Sequence, residues 1–228
     1  MNTMLYKLGI ALLRLGDAIP FLARPLDAFC RVWQRHRKLR SHLRALNFDG
    51  VIDGGANIGE FADVVRAALP RADLICVEPH PASAAILRKN GYKVVEAALW
   101  KEPTRLRLRQ PTASSTSCTV LGGGAAAPND GVLGWDVEAM RLDSLPISGS
   151  HLLVKLDLQG AEPEALEGMG ALWERCAAIL LEVSIGPEGT YQPIRALLSQ
   201  RGFREYSTTN ELEADGRVIE ADKLWIRP

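Results

Sequence analysis

Val51-Ile52-Asp53-Gly54-Gly55-Ala56-Asn57-Ile58-Gly59-Glu60 is the stretch that decides the fold. A short apolar run ends in Asp53, a tight loop of small residues follows, and an amphipathic helical pattern begins near Ile58. A strand–loop–helix unit of this kind lets a ligand approach backbone amides that a Cβ atom would otherwise block. Glu78 closes the next apolar run, Leu74-Ile75-Cys76-Val77, nineteen residues beyond Gly59. That is near the spacing at which a carboxylate grips a ribose hydroxyl pair. Together the two features point to a nucleoside-bearing cofactor.

Outward from this unit, strands alternate with helices. The periodicity predicts a strand at 50–53, a helix at 58–68, a strand at 73–78 and a helix at 81–90, with Pro81 suited to its first turn. Tyr92 to Glu96 reads as the third strand and Leu152 to Asp157 as a buried fourth. A helix from Glu162 to Glu174 follows, with Gly168 and Gly170 as break points, then a strand at Ala177 to Val183 and a helix at 190–201 stopped by Gly202. Phe203 to Tyr206 and Arg217 to Ile226 read as antiparallel closing strands. This succession indicates an α/β protein with a parallel sheet and right-handed crossovers.

The middle departs from that rhythm. Leu106 and Leu108 alternate with Arg105, Arg107 and Arg109, the signature of a strand with one wet face. Val137 to Leu142 is expected to pair with it as an antiparallel insertion. Residues 111–135 are rich in Ser, Thr, Gly and Ala and include Gly122-Gly123-Gly124. They read as a flexible loop, either a lid over the site or a surface excursion.

The chain has 228 residues, 47% hydrophobic and 24% charged, which suits one sizeable soluble α/β domain at 49–228. Lys+Arg and Asp+Glu both number 27, which argues against general polyanion binding, so no nucleic-acid partner is expected. Residues 1–48 read as an N-terminal helical segment, one helix before Pro20 and a longer one near Pro25 to Leu46. Met4 to Ala23 is apolar but broken by Lys7, Arg14 and Asp17. It is too interrupted for a membrane span or a signal peptide. Core packing or a homodimer contact is the favoured role, with peripheral membrane contact as the other. Arg31, Arg35, Arg37, Lys38, Arg40 and Arg44 crowd there with His36 and His42 and read as a solvated helix face rather than a docking site. Cys30, Cys76, Cys118 and Cys176 form no CxxC pair, so a reducing, cytoplasmic setting is expected.

The loop is not a strict G-x-G-x-x-G, because Ala56 stands where the second glycine would be. It fits acidic-x-G-x-N-x-G: Asp53, Gly55, Asn57, Gly59. Asn tolerates the left-handed backbone better than most residues. An acidic residue at the head of the loop suits a ligand carrying an ammonium or sulfonium, which tilts the reading from NAD toward S-adenosylmethionine. Ala97-Ala98-Leu99, after the third strand, would leave room for a flat adenine ring. A second acidic group gathers at the later strand ends: Asp157, followed by Gln159-Gly160-Ala161-Glu162, and Glu182. Ligands of open α/β sheets bind beyond the strands' carboxyl ends. These carboxylates would serve as a base for a substrate hydroxyl or, in Asp157 and Glu182, hold a divalent metal. Helix capping by Asp157 and ion pairing by Glu182 are the plainer readings. Lys155, inside the strand, is expected to pair with a carboxylate.

At this point the residues resemble the FkbM family of S-adenosylmethionine-dependent methyltransferases. Val-Ile-Asp-Gly-Gly-Ala-Asn-Ile-Gly at 51–59 resembles its cofactor loop, and Leu-Val-Lys-Leu-Asp-Leu-Gln-Gly-Ala-Glu at 153–162 its second signature, usually K-x-D-x-E-G-A-E. Glu78-Pro79 and Arg-Leu-Asp-Ser-Leu at 141–145 also match. The resemblance covers about 50 to 206. It implies a Rossmann-like methyltransferase fold, a mostly parallel seven-stranded sheet with an antiparallel closing strand. It also implies methyl transfer to a hydroxyl of a small-molecule or glycan acceptor. By position, Asp53, Gly54, Gly55, Asn57, Gly59, Glu78, Pro79, Ala98 and Leu99 would hold the cofactor. Asp157, Gln159, Glu162 and Glu182 would do the catalytic work, and Ser114, Ser115 and Ser117 would meet the acceptor. Gln159 departs from the usual glutamate, keeping hydrogen bonding but losing a charge. That leaves two other readings open: a non-catalytic cofactor-binding scaffold and an NAD-dependent oxidoreductase.

Overall fold

The computed structural model describes the backbone of residues 31–110, 119–121 and 133–228, with side chains for 38–109 and 134–228. Helix α1 spans Arg31–Leu46 and is followed by β1 (Gly50–Gly54), α2 (Glu60–Ala68), β2 (Asp73–Val77), α3 (Pro81–Lys89) and β3 (Lys93–Val95). The insertion holds β4 (Ala98–Leu99), β5 (Thr104–Gln110), β6 (Thr119–Leu121) and β7 (Leu133–Met140). Then come β8 (Leu152–Leu156), α4 (Glu162–Glu167), α5 (Leu172–Arg175), β9 (Cys176–Ser184), α6 (Tyr191–Gln200), β10 (Arg204–Ala214) and β11 (Arg217–Ile226).

Seven strands form one sheet in the order β10-β11-β9-β8-β1-β2-β3. β8 lies at its centre with β1 beside it; β1 is parallel to β2 and β8, and β11 runs antiparallel to β9. The α/β expectation and the antiparallel closure both hold. Every residue of β1 and β8 is buried, as a parallel strand covered on both faces must be. The pleat sends successive side chains to opposite layers. Ile52 joins Leu156, Leu166 and Ile194 on the α4–α6 side, and Val51 joins Leu43, Val65 and Leu153 on the α1–α2 side. Burying such a side chain fully contributes about 1.5–3 kcal/mol, so the central strands anchor the domain.

The predicted helix at 162–174 is two short helices, because the chain takes φ +42° at Gly170, where its hydrogen bonds cannot continue. The insertion pairs as expected, Leu106 opposite Val137 and Leu108 opposite Trp135. The stretch read as a loop is shorter than its composition suggested: Thr119–Leu121 adds a strand to β5, and β7 already begins at Leu133. The rest of that loop, with Ser114, Ser115 and Ser117, lies outside the described residues, as do residues 1–30 and Cys30 and Cys118.

Helix α1 is fastened to the domain rather than displayed. Leu39 and Leu43 are buried, Lys38 Nζ donates to the Thr208 carbonyl at 2.5 Å, and His42 Nε2 lies 3.1 Å from Ser207 Oγ with its ring against Tyr206. Arg40 is 3% exposed. The solvated-face reading of this basic stretch is therefore corrected for Arg40, which is buried, and for His42, which turns toward the domain where Ser207 of β10 supplies a polar partner. Cys76 and Cys176 are free and buried, as small hydrophobes. Among the described residues no helix is long and apolar enough to cross a membrane.

Candidate active site

The acidic tips gather at the carboxyl ends of the parallel strands, where an open α/β sheet leaves its crevice. Beyond β1, Gly55 and Ala56 donate their amides to the Val77 carbonyl at 2.9 and 3.1 Å, tying the loop to β2. Asn57 takes φ 48°, which turns its amide onto Glu78 Oε2 at 2.7 Å. Glu78 Oε1 accepts from the His80 amide at 2.8 Å. Burial pushes the Glu78 carboxyl up from its ordinary value, and the two amides pull the other way. Each oxygen keeps a lone pair for a further donor.

Asp53 is 0% exposed. Lys155 Nζ stands 3.1 Å from its Oδ1 and 3.7 Å from Asp157 Oδ2, and donates to the Gly54 and Gly55 carbonyls at 3.1 and 2.9 Å. Burial alone would lower the Lys155 pKa, but the carboxylates of Asp53 and Asp157 outweigh it and hold the ammonium charged. Neither Asp53 oxygen has a hydrogen bond of good alignment among the described residues. The pair is held by charge and proximity.

Asp157 follows β8, and Gln159 takes a left-handed φ of 55° that swings its side chain back toward the strand tips. Its Nε2 donates to Asp157 Oδ1 at 3.0 Å and to Glu182 Oε2 at 2.9 Å. Burial, then the neighbouring Asp157 and Glu220 charges, push the Glu182 carboxyl up to about 9. The Glu182 carboxyl therefore holds its proton more tightly than an exposed glutamate would. A cavity of about 140 Å³ opens in front of them, lined by Gly55, Asn57, Phe61, Lys155, Asp157 and Glu182, with Leu39 of α1 and Thr209 and Asp222 of the terminal hairpin. A second of about 260 Å³ adjoins it at Gln159, Glu182 and Thr190.

With this geometry in place, the matches to known proteins are informative. Residues 53–205, more than half the chain, match the methyltransferase FkbM domain. This chain belongs to the FkbM methyltransferase family. It is 28% identical over 189 residues to methyltransferase sdnD of Sordaria araneosa, covering 67% of this chain and 73% of that one. The crystal structure of methyltransferase FkbM from Methylobacillus flagellatus KT superposes with a TM-score of 0.51 at 15% identity, over 79% of this chain. The chain spans 44% of that longer protein, and at this identity the likeness speaks for the fold alone. Methyltransferase enzymes on a Rossmann-like fold are thus its kin, and the sheet order agrees.

Several of the residues read as site residues have packing or pairing partners in the structure. Asp53 does not reach into the crevice to meet a ligand's ammonium, because Lys155 already occupies its front and the carboxylate is fully buried. A Cβ on Gly55 would lie 1.9 Å from the Asp157 carbonyl oxygen, so a glycine is required for the close approach of the chain just after β8. Gly54 likewise faces Leu99 and Leu156, and Gly59, at φ +97°, faces Leu87. Ala98 and Leu99 form β4 and are buried in apolar clusters, so they are wall and core rather than an open adenine slot. Pro79 is half-buried beside Glu78. Glu162 is 2% exposed, and its oxygens accept the Leu158 and Gly160 amides at 2.6 and 3.1 Å. It closes the 157–161 loop instead of facing a substrate. The Asp157–Glu182 pair read as metal ligands is bridged by an amide donor that a cation would have to displace. Among the described residues no group of three or more His, Cys, Asp or Glu is arranged to hold a metal ion.

The sequence reading missed Leu39, Thr209 and Asp222 as crevice residues, since nothing local in the chain reports which helix or hairpin folds over the strand tips. His80 was legible as an α3 cap only in retrospect: its Nδ1 accepts from the Ser83 amide at 3.4 Å.

Proposed function

We propose that this methyltransferase uses S-adenosylmethionine to methylate a hydroxyl of a sugar, glycan or secondary-metabolite acceptor. The observation that carries the reading is the joint placement of Glu78 and Asp157 on either side of the β1 loop. Glu78 is fixed by two amides with lone pairs to spare for a ribose diol. Asp157 is fixed by Gln159 in the crevice beside it. The residues present fit such a donor: Glu78 has lone pairs to spare for the ribose, and the Asp157 carboxyl in the crevice suits a cationic tail. Glu78 and the Asn57 turn would hold the nucleoside. Asp53, acting through Lys155 and the loop carbonyls, shapes the floor and its field rather than touching the ligand.

When bound, the donor supplies a methyl group already activated by its positive sulfur, so the protein's task is alignment and proton handling. Asp157 accepts the acceptor hydroxyl's proton. Gln159 keeps that carboxylate aimed, and Lys155 offsets its charge. Glu162 holds the loop on which both ride. The acceptor enters past Leu39 and the β10–β11 hairpin.

Calorimetric titration with S-adenosylmethionine, followed by an unbiased acceptor screen for release of S-adenosylhomocysteine, tests the reading. Binding with Asp157→Asn retaining near-normal cofactor affinity but losing turnover supports it. Normal turnover in that variant removes Asp157 as the base. A thermal shift with NAD and none with S-adenosylmethionine overturns the cofactor, and cofactor binding without product from any acceptor favours a scaffold.

A further inference from the structure

The second sheet has one wet and one dry face. Along β7, Asp136 and Glu138 lie on the wet face, bonded to Arg107 and Arg105 at 3.1 and 2.7 Å. Trp135, Val137 and Ala139 alternate with them on the dry face. There Val137 and Ala139 are buried with Leu106 and Leu108, but Trp135 is only partly covered. The indole meets the His80 ring edge-on, centroids 4.9 Å apart at 79°. His80 is the residue whose amide fixes Glu78 Oε1, and it also caps α3 through Ser83. The insertion thus brings one large flat ring to the strand tip that carries the candidate ribose carboxylate.

We infer that Trp135 is the wall against which the nucleobase of the methyl donor lies, so that the inserted sheet covers the nucleoside end of the site. The inference rests on the reading that Glu78 holds the ribose. A half-covered indole offers a π-face to any purine, and stacking of this kind tolerates small changes of geometry. A base attached to a ribose on Glu78 has to leave the β2 tip toward one of its walls, and Trp135 beside His80 offers an apolar one. Ala98 backs this wall from within.

The test is titration of S-adenosylhomocysteine into the full chain by calorimetry and by intrinsic fluorescence. Trp135→Ala should weaken binding about tenfold or more, Trp135→Phe should restore most of it, and the ligand-induced quench of the wild type should vanish in Trp135→Phe. Melting temperatures identify any variant that has lost the inserted sheet, and the Phe variant keeps the test sound if Ala does not fold. Wild-type affinity in Trp135→Ala, or an undiminished quench in Trp135→Phe, overturns the wall. If Glu78→Gln abolishes binding while the Trp135 variants bind normally, the wall falls and the ribose reading stands. If Glu78→Gln binds normally, both fall.

Discussion

Lys155→Met isolates the ion pair at the floor of the site. The substitution conserves length but leaves Asp53, 0% exposed, with no cation 3.1 Å from its oxygen. Removing one partner of a buried pair costs about 3–5 kcal/mol. Here the cost has a ceiling, because Asp53 can take up a proton instead. From an ordinary aspartate value near 3.9, neutralising it at pH 7 costs about 4 kcal/mol, and about 1.4 kcal/mol less for each pH unit below that. The Gly54 and Gly55 carbonyls, which lose Lys155 as donor, add about 0.5–1.5 kcal/mol each. In the variant, burial holds the folded pKa of Asp53 above its unfolded value. The stability it contributes is therefore present below about pH 3.9 and lost as pH rises through the folded pKa. Urea unfolding followed by circular dichroism at pH 5.5, 6.5 and 7.5 should show a deficit that grows with pH. The double variant Asp53→Asn/Lys155→Met should be nearly pH-independent relative to wild type. A deficit below about 1 kcal/mol at pH 7.5, or one that does not change with pH, refutes the buried-pair account.

Gly55→Ala and Gly160→Ala form a matched pair. Both sit at positive φ, +69° and +103°, and both incur about 1–2 kcal/mol of backbone strain. Only Gly55 also drives a methyl into the Asp157 carbonyl at 1.9 Å, whereas nothing lies within 4 Å of Gly160, so melting temperature should fall further for Gly55→Ala. Equal losses would remove the close-approach argument. Glu182, pushed up to about 9 by burial and then by Asp157, binds its proton more tightly folded than unfolded. Wild-type stability should therefore decline as pH rises from about 4.3 toward 9, and Glu182→Gln should flatten that slope. An unaltered slope means that Glu182 is ionised throughout. Gln159→Glu replaces the donor shared by Asp157 and Glu182 with a third carboxylate. It should lower the melting temperature more at pH 8 than at pH 6 and raise the affinity for Mg²⁺, read by thermal shift. No change in either would show that the amide bridge does not hold the pair together.

Much of the fold was legible because its signals are local. Period-2 and period-3.6 spacing marked the central strands and helices, and Gly202 and Pro81 marked ends that the structure keeps. The boundaries slipped where long-range pairing decided them. Nothing within Thr119–Leu121 predicts a strand, yet β5 offers it an edge. The glycines at 168 and 170 hinted at a break that packing turned into two helices. At the site, the acidic residues lie at the strand ends where spacing put them, but their partners were not legible. A carboxylate's partner is set by what lies across a neighbouring strand, and sequence spacing does not report that. Asp53 and Lys155 are 102 positions apart, yet share one register row of β1 and β8. Trp135, read as the end of the loop, lies in β7, which begins at Leu133; alternation along that strand puts its indole on the dry face, where it meets His80.

Taken alone, the order of residues determined the alternating α/β frame, the family, and the collection of acids at the strand ends, because each depends on spacing along one chain. The tertiary structure decided which acids face solvent and which face Lys155, and why Gly55 must be glycine. It also decided what roofs the crevice. Those outcomes arise from contacts between strands and helices that are adjacent in space and remote in sequence, where burial and charge act over a few ångströms.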